Sequence, residues 1–285
     1  NVPRMRPQET TLEAPRGQTE PASSLWDWVH DHHQAAYFVG TGLLSALGAV
    51  LSGRGRRLTR FGLTWAGALA LGSALDPLVN PYNNAYGHAW VRGPVERSAV
   101  ALTFDDGPEP PYTERVLDIL GEFGVKATFF LVGRQVERHP ELARRILAEG
   151  HLMGNHTQNH LNLLKMTPAQ GAREIEQGAA TIERVTGVWP QWFRPPMGFR
   201  YPWNTRCARR LGQASVMWSL NPRDFEFPEP DVLVQRIVSA VGPGEIVLLH
   251  DGMRDQSNTV AALPALLREL KQRGLEPVRV DRLVS

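Results

Sequence analysis

Two adjacent aspartates, Asp105 and Asp106, close the apolar run in "ALTFDDGPEP". Like charges side by side repel. The pair is therefore either part of an ordinary Asp and Gly-Pro turn or sits beside something that offsets its charge. His156 and His160 stand four apart in "HTQNH". On a helical turn that spacing presents both imidazoles on one side, as a divalent cation needs. An HxxxH pair alone is weak, because many are surface accidents. With an added carboxylate it becomes a two-His, one-Asp set suited to zinc or a similar metal, with positions left open for water. Water held in that way loses a proton near neutral pH and becomes a nucleophile. Further on stand Arg194 in "FRPPMG", Asp224 in "NPRDF", and His250 with Asp251 in "IVLLHDG". These are groups that hold, accept or donate protons.

The elements that must position them read as an alternation. Short apolar runs predict buried strands at 99–104, 127–132, 151–155, 191–194, 214–219, 245–249 and 277–280. Amphipathic stretches such as "YTERVLDILGEFG" and "PELARRILAEG" lie between them, and glycines fall near the expected helix ends. Strand–helix alternation implies a parallel sheet, open or closed into a barrel. In such a barrel the chemistry collects at the C-terminal ends of the strands, and the residues named above fall there.

In this order and spacing, "TFDDGP", "HTQNH", "RPPMG", "RDF" and "LLHD" resemble the five motifs of the polysaccharide deacetylase family, the NodB-homology domain of carbohydrate esterase family four. The resemblance spans about residues 98–283. It implies an α/β fold, a distorted (β/α)7 barrel, and metal-dependent hydrolysis of acetyl groups on sugars. Carried over by position, Asp105 is the general base. Asp106, His156 and His160 hold one divalent metal ion, zinc first, with cobalt or another divalent ion as alternatives. Arg194 orients Asp105, His250 is the general acid, and Asp224 supports its imidazolium. The Met197 backbone N–H is an oxyanion donor, and Leu248 lines a pocket for the acetyl methyl. Water bound to the metal then attacks the acetamide, and the expected partner is an acetylated polysaccharide such as peptidoglycan or a chitin-like polymer. Three positions depart from the family pattern. Met197 stands where Tyr is common, Phe225 where Trp is usual, and Asn221 in place of an Asp. These bear on substrate fit more than on catalysis. Trp203, beside Pro202, is the best groove candidate among the tryptophans for stacking on a sugar ring.

Other functions fit the residues less well. A non-catalytic carbohydrate-binding protein on the same fold would not need both base and acid. A hydrolase of a non-sugar amide on the same scaffold is the other enzyme reading. A nuclease or phosphatase would want more carboxylates around two metals. A formal net charge of +2 gives no bulk argument for nucleic acid. The one cysteine, Cys207, excludes an intrachain disulfide and a thiolate cluster.

Upstream, residues 1–24 are polar, aperiodic and read as a disordered tail. Residues 25–97 hold two apolar helices and a linker. Residues 34–53 carry no charge, "RGRRLTR" follows, and residues 61–79 carry a single charge, Asp76. Each apolar run matches a hydrocarbon core of ~30 Å, with Trp and Tyr at the flanks. The expectation is an N-terminal transmembrane helical hairpin through residues 34–79. The arginine loop would lie in the cytoplasm and the catalytic domain, 98–285, on the extracytoplasmic side. A helical hairpin packed on the main domain is the other reading. A cleaved signal peptide fits poorly, since the apolar run begins well inside the chain.

Overall fold

Seven consecutive residues, Ala99–Asp105, form a strand buried on both faces, as a central strand of a parallel sheet must be. It is the hub of the computed structural model, which describes Tyr82, Asn84 and residues 87–285. In chain order the elements are β1 (Ala89–Trp90), β2 (Ala99–Asp105), α1 (Tyr112–Glu122), β3 (Thr128–Leu131), α2 (Gly133–Arg138), α3 (Pro140–Ala148) and β4 (Leu152–Asn155). Then come α4 (Pro168–Thr186), β5 (Trp192–Phe193), α5 (Pro202–Arg210), β6 (Ala214–Val216), α6 (Pro230–Val238), β7 (Ile246–His250), α7 (Ser257–Gln272), β8 (Glu276–Val278) and α8 (Val280–Leu283). The expected hairpin at 34–79 and the tail lie outside the described residues. No described helix is long and apolar enough to cross a membrane.

The strands pair in the order β1-β6-β5-β4-β3-β2-β7, with β8 also on β2, and every ladder is parallel. The result is a curled parallel sheet with helices outside, consistent with the (β/α)7 fold. Past the end of β6 the chain reaches the opposite edge. Leu220 bridges Val247 of β7, and the Leu248 N–H donates to the Leu220 carbonyl at 2.9 Å. All expected strands are present within a few residues. One was missed: Ala89–Trp90 pairs with Ser215 and Val216, so the sheet starts ahead of residue 98. A two-residue strand carries too short a pattern to detect.

Alternation divides β2 between two environments. Val100, Leu102 and Phe104 pack among the apolar faces of α1 and α7. Ala99 and Ala101 face the inner cluster with Phe130, Trp192, Ile246 and Leu283. With a period of two, Thr103 and Asp105 continue that inner face toward the strand end. β7 repeats the arrangement. Val247 and Leu249 pack outward, while Ile246, Leu248 and His250 share the inner side. Parallel register then sets Asp105 beside His250, and Asn155 beside Phe193 just before Arg194. α4 is fixed at both ends by local chemistry. Thr167 and Gln170 make a reciprocal capping box, and Gly187 closes the helix in the left-handed region at φ 79°.

Candidate active site

Arg194 is fully buried, and its guanidinium is the anchor around which the site is built. It donates to Asp105 Oδ1 at 2.7 Å, Thr103 Oγ1 at 2.8 Å and the Met217 carbonyl at 2.7 Å. Its Nε donates to the Val216 carbonyl at 3.3 Å, and the group lies 4.1 Å over the Phe130 ring. A buried guanidinium so fully partnered holds Asp105 in one orientation. Removing one member of such a pair costs about 3–5 kcal/mol. The Asp105 Oδ2 is left facing His156 Nε2, 3.7 Å away.

Asp106 follows at φ 78°, a left-handed conformation uncommon for a non-glycine residue. The turn is pinned from below by Asp251, a wholly buried residue whose N–H donates to the Asp105 carbonyl at 3.0 Å. Its Oδ2 accepts from Thr113 Oγ1 at 2.6 Å. An added Cβ on Gly107 would lie 2.5 Å from both Asp251 oxygens, so a glycine is required for that close approach.

His156 and His160 do converge, with ring centroids 4.9 Å apart, but the expected helical turn is absent. They lie on a loop, bent by left-handed residues at Thr157 and His160. The loop is held by Asn155, whose Oδ1 accepts the Thr157 N–H at 3.0 Å. His156 Nδ1 is 2.7 Å from the Arg194 carbonyl, which makes Nδ1 the protonated nitrogen and leaves Nε2 as a lone-pair donor. His156 Nε2 lies 3.5 Å, and His160 Nε2 3.1 Å, from Asp106 Oδ1. That oxygen is buried and receives no hydrogen bond. Burial pulls both imidazoles down to about 3, so they are neutral near pH 7, and pushes Asp106 up to about 7. Two neutral imidazoles and an orphaned carboxylate oxygen, all within 4.8 Å, fit a divalent cation with nitrogen and oxygen ligands. Zinc matches this donor set.

Across the site, Asp224 is buried and grips His250 twice. Its Oδ2 accepts the His250 backbone N–H at 2.8 Å and its Oδ1 the ring Nδ1 at 2.8 Å. Thr259 Oγ1 adds a hydrogen bond to Oδ2 at 3.3 Å. Burial opposes the charged ring, but the Asp224 charge and hydrogen bond, with Asp106 and Asp105 nearby, outweigh it and push His250 up to about 9. Nδ1 is committed to Asp224, which leaves Nε2 to pass a proton on.

Leu248 lies buried one inward step below His250, and Phe225 meets the His250 ring edge-on at 6.0 Å. Met197 sits at the rim, 52% exposed, in the left-handed region at φ 58°. The loop expected at Trp203 is a helix start. Pro202 begins α5 rather than a loop, and Trp203 in its first turn packs onto Gly171 of α4 and stacks on Tyr201. The sequence alone did not single out Thr103, Phe130, Thr113 or a role for Asp251. Strand alternation offers a signal for Thr103 only, since it shares a face with Asp105.

The family model for polysaccharide deacetylase matches residues 92–216. A peptidoglycan-N-acetylglucosamine deacetylase of Bacillus cereus is 40% identical over 193 residues, covering 67% of this chain and 90% of the relative. A chitooligosaccharide deacetylase of Bradyrhizobium sp. is 40% identical over 192 residues, covering 62% of this chain and 87% of the relative. Among solved structures, a peptidoglycan N-acetylglucosamine deacetylase in complex with an N-oxidanyl-benzamide is 31% identical with a TM-score of 0.67, covering 69% of this chain and 92% of that one. A carbohydrate esterase family four pseudoenzyme from Bacillus anthracis is 32% identical with a TM-score of 0.64, covering 68% of each chain. The chain belongs to the polysaccharide deacetylase family.

Proposed function

We propose that this protein hydrolyses N-acetyl groups on an N-acetylglucosamine-containing polysaccharide, peptidoglycan or a chitin-like polymer, releasing acetate and leaving an amine on the sugar. What carries this reading is the opposed pair of groups at neighbouring strand ends. Asp105 is locked by Arg194 as an acceptor, and His250 is charged by Asp224 as a donor, beside the Asp106, His156 and His160 cluster.

Asp106, His156 and His160 would hold a divalent cation, zinc first, which would supply Lewis acidity for water and carbonyl chemistry. Asp105 accepts the proton of the attacking water as the new C–O bond forms. In this reading the Met197 backbone N–H donates to the carbonyl oxygen as it gains charge. His250 gives its Nε2 proton to the amide nitrogen as the C–N bond breaks. Arg194 and Asp224 touch neither substrate nor water in this scheme; they hold Asp105 and His250 in the required orientation and charge. Leu248 and Phe225 supply apolar walls near the acetyl methyl.

Likeness to a pseudoenzyme favours a second reading, a non-catalytic glycan-binding protein. The intact base, acid and ligand residues speak against it. Equimolar acetate and free amine released from an N-acetylglucosamine tetramer by the metal-loaded chain would support hydrolysis. Tetramer binding without either product would support the second reading. An anchor at residues 34–79 would place this chemistry at the cell envelope; a C-terminal reporter that reads cytoplasmic counts against that placement.

A further inference from the structure

One charged residue of α4 points inward. Arg173, Glu176, Glu183 and Arg184 are exposed, whereas Glu174 is 7% exposed and shares the buried face with Ile175 and Gly178. None of the ion pairs among the described residues includes it. A carboxylate kept from water without a counter-ion persists only where hydrogen bonds satisfy it.

Both of its oxygens go to one residue of the histidine loop. Oε2 accepts the Asn159 N–H at 2.9 Å, and Oε1 accepts from Asn159 Nδ2 at 2.8 Å. The neighbouring backbone of α4 reaches the same loop. The Glu174 carbonyl accepts the Gln158 N–H at 2.9 Å, and the Ile175 carbonyl accepts from Asn155 Nδ2 at 2.8 Å. One turn further on, an added Cβ on Gly178 would lie 2.6 Å from the Thr157 carbonyl carbon and 2.9 Å from the Gln158 nitrogen. α4 is thus pressed against the loop between the two histidines.

The loop needs such a clamp. Thr157 and His160 are both left-handed, a conformation that non-glycine residues keep only where their surroundings fix it. The His156 ring is oriented by the Arg194 carbonyl. His160 lacks an equivalent. Among the described residues its ring nitrogens meet only Asp106 Oδ1, and its backbone N–H donates to Thr157 Oγ1 at 3.1 Å. Its imidazole therefore takes its place from the backbone, and the residue before it is the one that Glu174 grips. Two N–H donors on one residue need two acceptor oxygens, which a carboxylate has and an amide lacks.

We propose that Glu174 is a positioning residue of the metal centre, holding Asn159, and through it His160, where the three ligands converge. The inference rests on reading Asp106, His156 and His160 as a metal site. Glu174 is not itself a ligand; it acts through the loop.

The test loads the full chain with zinc and measures affinity by chelator competition, then with cobalt(II) and records the visible absorption of the ion. Glu174→Gln keeps the shape and turns an amide donor toward the donors of Asn159. It should weaken zinc binding about 10–100-fold, alter the cobalt band, and lower kcat at saturating metal more than it raises KM. Adding Asn159→Asp exchanges donor and acceptor: the glutamine oxygen takes the backbone N–H, and its amide donates to the new carboxylate. That double variant should recover zinc affinity to within about threefold of the unaltered protein. Asn159→Ala removes only the side-chain half of the grip and should cost about 2–10-fold, a second measure should Glu174→Gln fail to fold. A folded Glu174→Gln protein with a lower Tm but unchanged zinc affinity and cobalt spectrum would make the residue purely structural and overturn the proposal. So would a loss that the Asn159→Asp exchange leaves in place. An unaltered chain that binds no zinc would remove the metal-site reading, and the proposal with it.

Discussion

A proton must leave water and another must reach an amide nitrogen, and two side-chain environments divide that work. His250 is held at about 9 because Asp224 outweighs the effect of burial. A general acid must be protonated to act, so activity should fall as pH rises through about 9. Asp224→Asn removes the charge that raises the ring. The alkaline limb of kcat/KM should then move to lower pH, with a loss on the order of 10²–10³-fold at neutral pH, read from a pH–rate profile. An unmoved limb would separate His250 from the acid role. Asp105→Asn and His156→Ala should fail for different reasons. The first keeps zinc and loses turnover; the second loses zinc, as metal analysis after gel filtration would reveal. The residue types and order of this site were legible in the sequence. The Arg194 to Asp105 contact was legible only through the family resemblance, because a contact spanning half the domain leaves no local spacing signal.

Loops, not helices, carry the ligands. The HxxxH spacing predicted a helical turn, and the structure instead bends Thr157 and His160 into the left-handed region. Asn155 ties that bend to the end of β4, a side-chain–backbone contact that periodicity does not encode. Strands were legible because burial on both faces writes continuous apolar runs. β1 was too short to detect, and Trp203 was misplaced because Pro202 reads equally as a loop residue or the first residue of a helix. The tight fit between the β7 loop and the aspartate turn makes an element-level prediction. Gly252→Ala puts a methyl 2.6 Å from the Asp106 carbonyl, so the turn must shift. Zinc affinity should drop by about tenfold or more, measured by chelator competition, because ligand placement is sensitive to small displacements. Unchanged affinity would mean the two loops are less tightly coupled than their contact implies.

At the scale of the molecule, one sheet serves two purposes. Its outward residues build the core with α1 and α7, and its inward residues climb from an apolar layer to the charged strand ends. The two roles should separate by mutation. Leu102 is fully buried on the outward face, and Leu102→Ala should cost about 2–5 kcal/mol, lowering Tm while the folded fraction keeps its kcat. A large loss of kcat in folded protein would tie the outer core to the chemistry. The most direct test of the central claim is acetate release from N-acetylglucosamine oligomers before chelation, after chelation, and after zinc or cobalt is restored. Activity that vanishes with the chelator, returns with the metal, and is absent in His156→Ala and Asp105→Asn is the predicted result. Acetate released at an undiminished rate by the metal-stripped protein, or by His156→Ala, would contradict it.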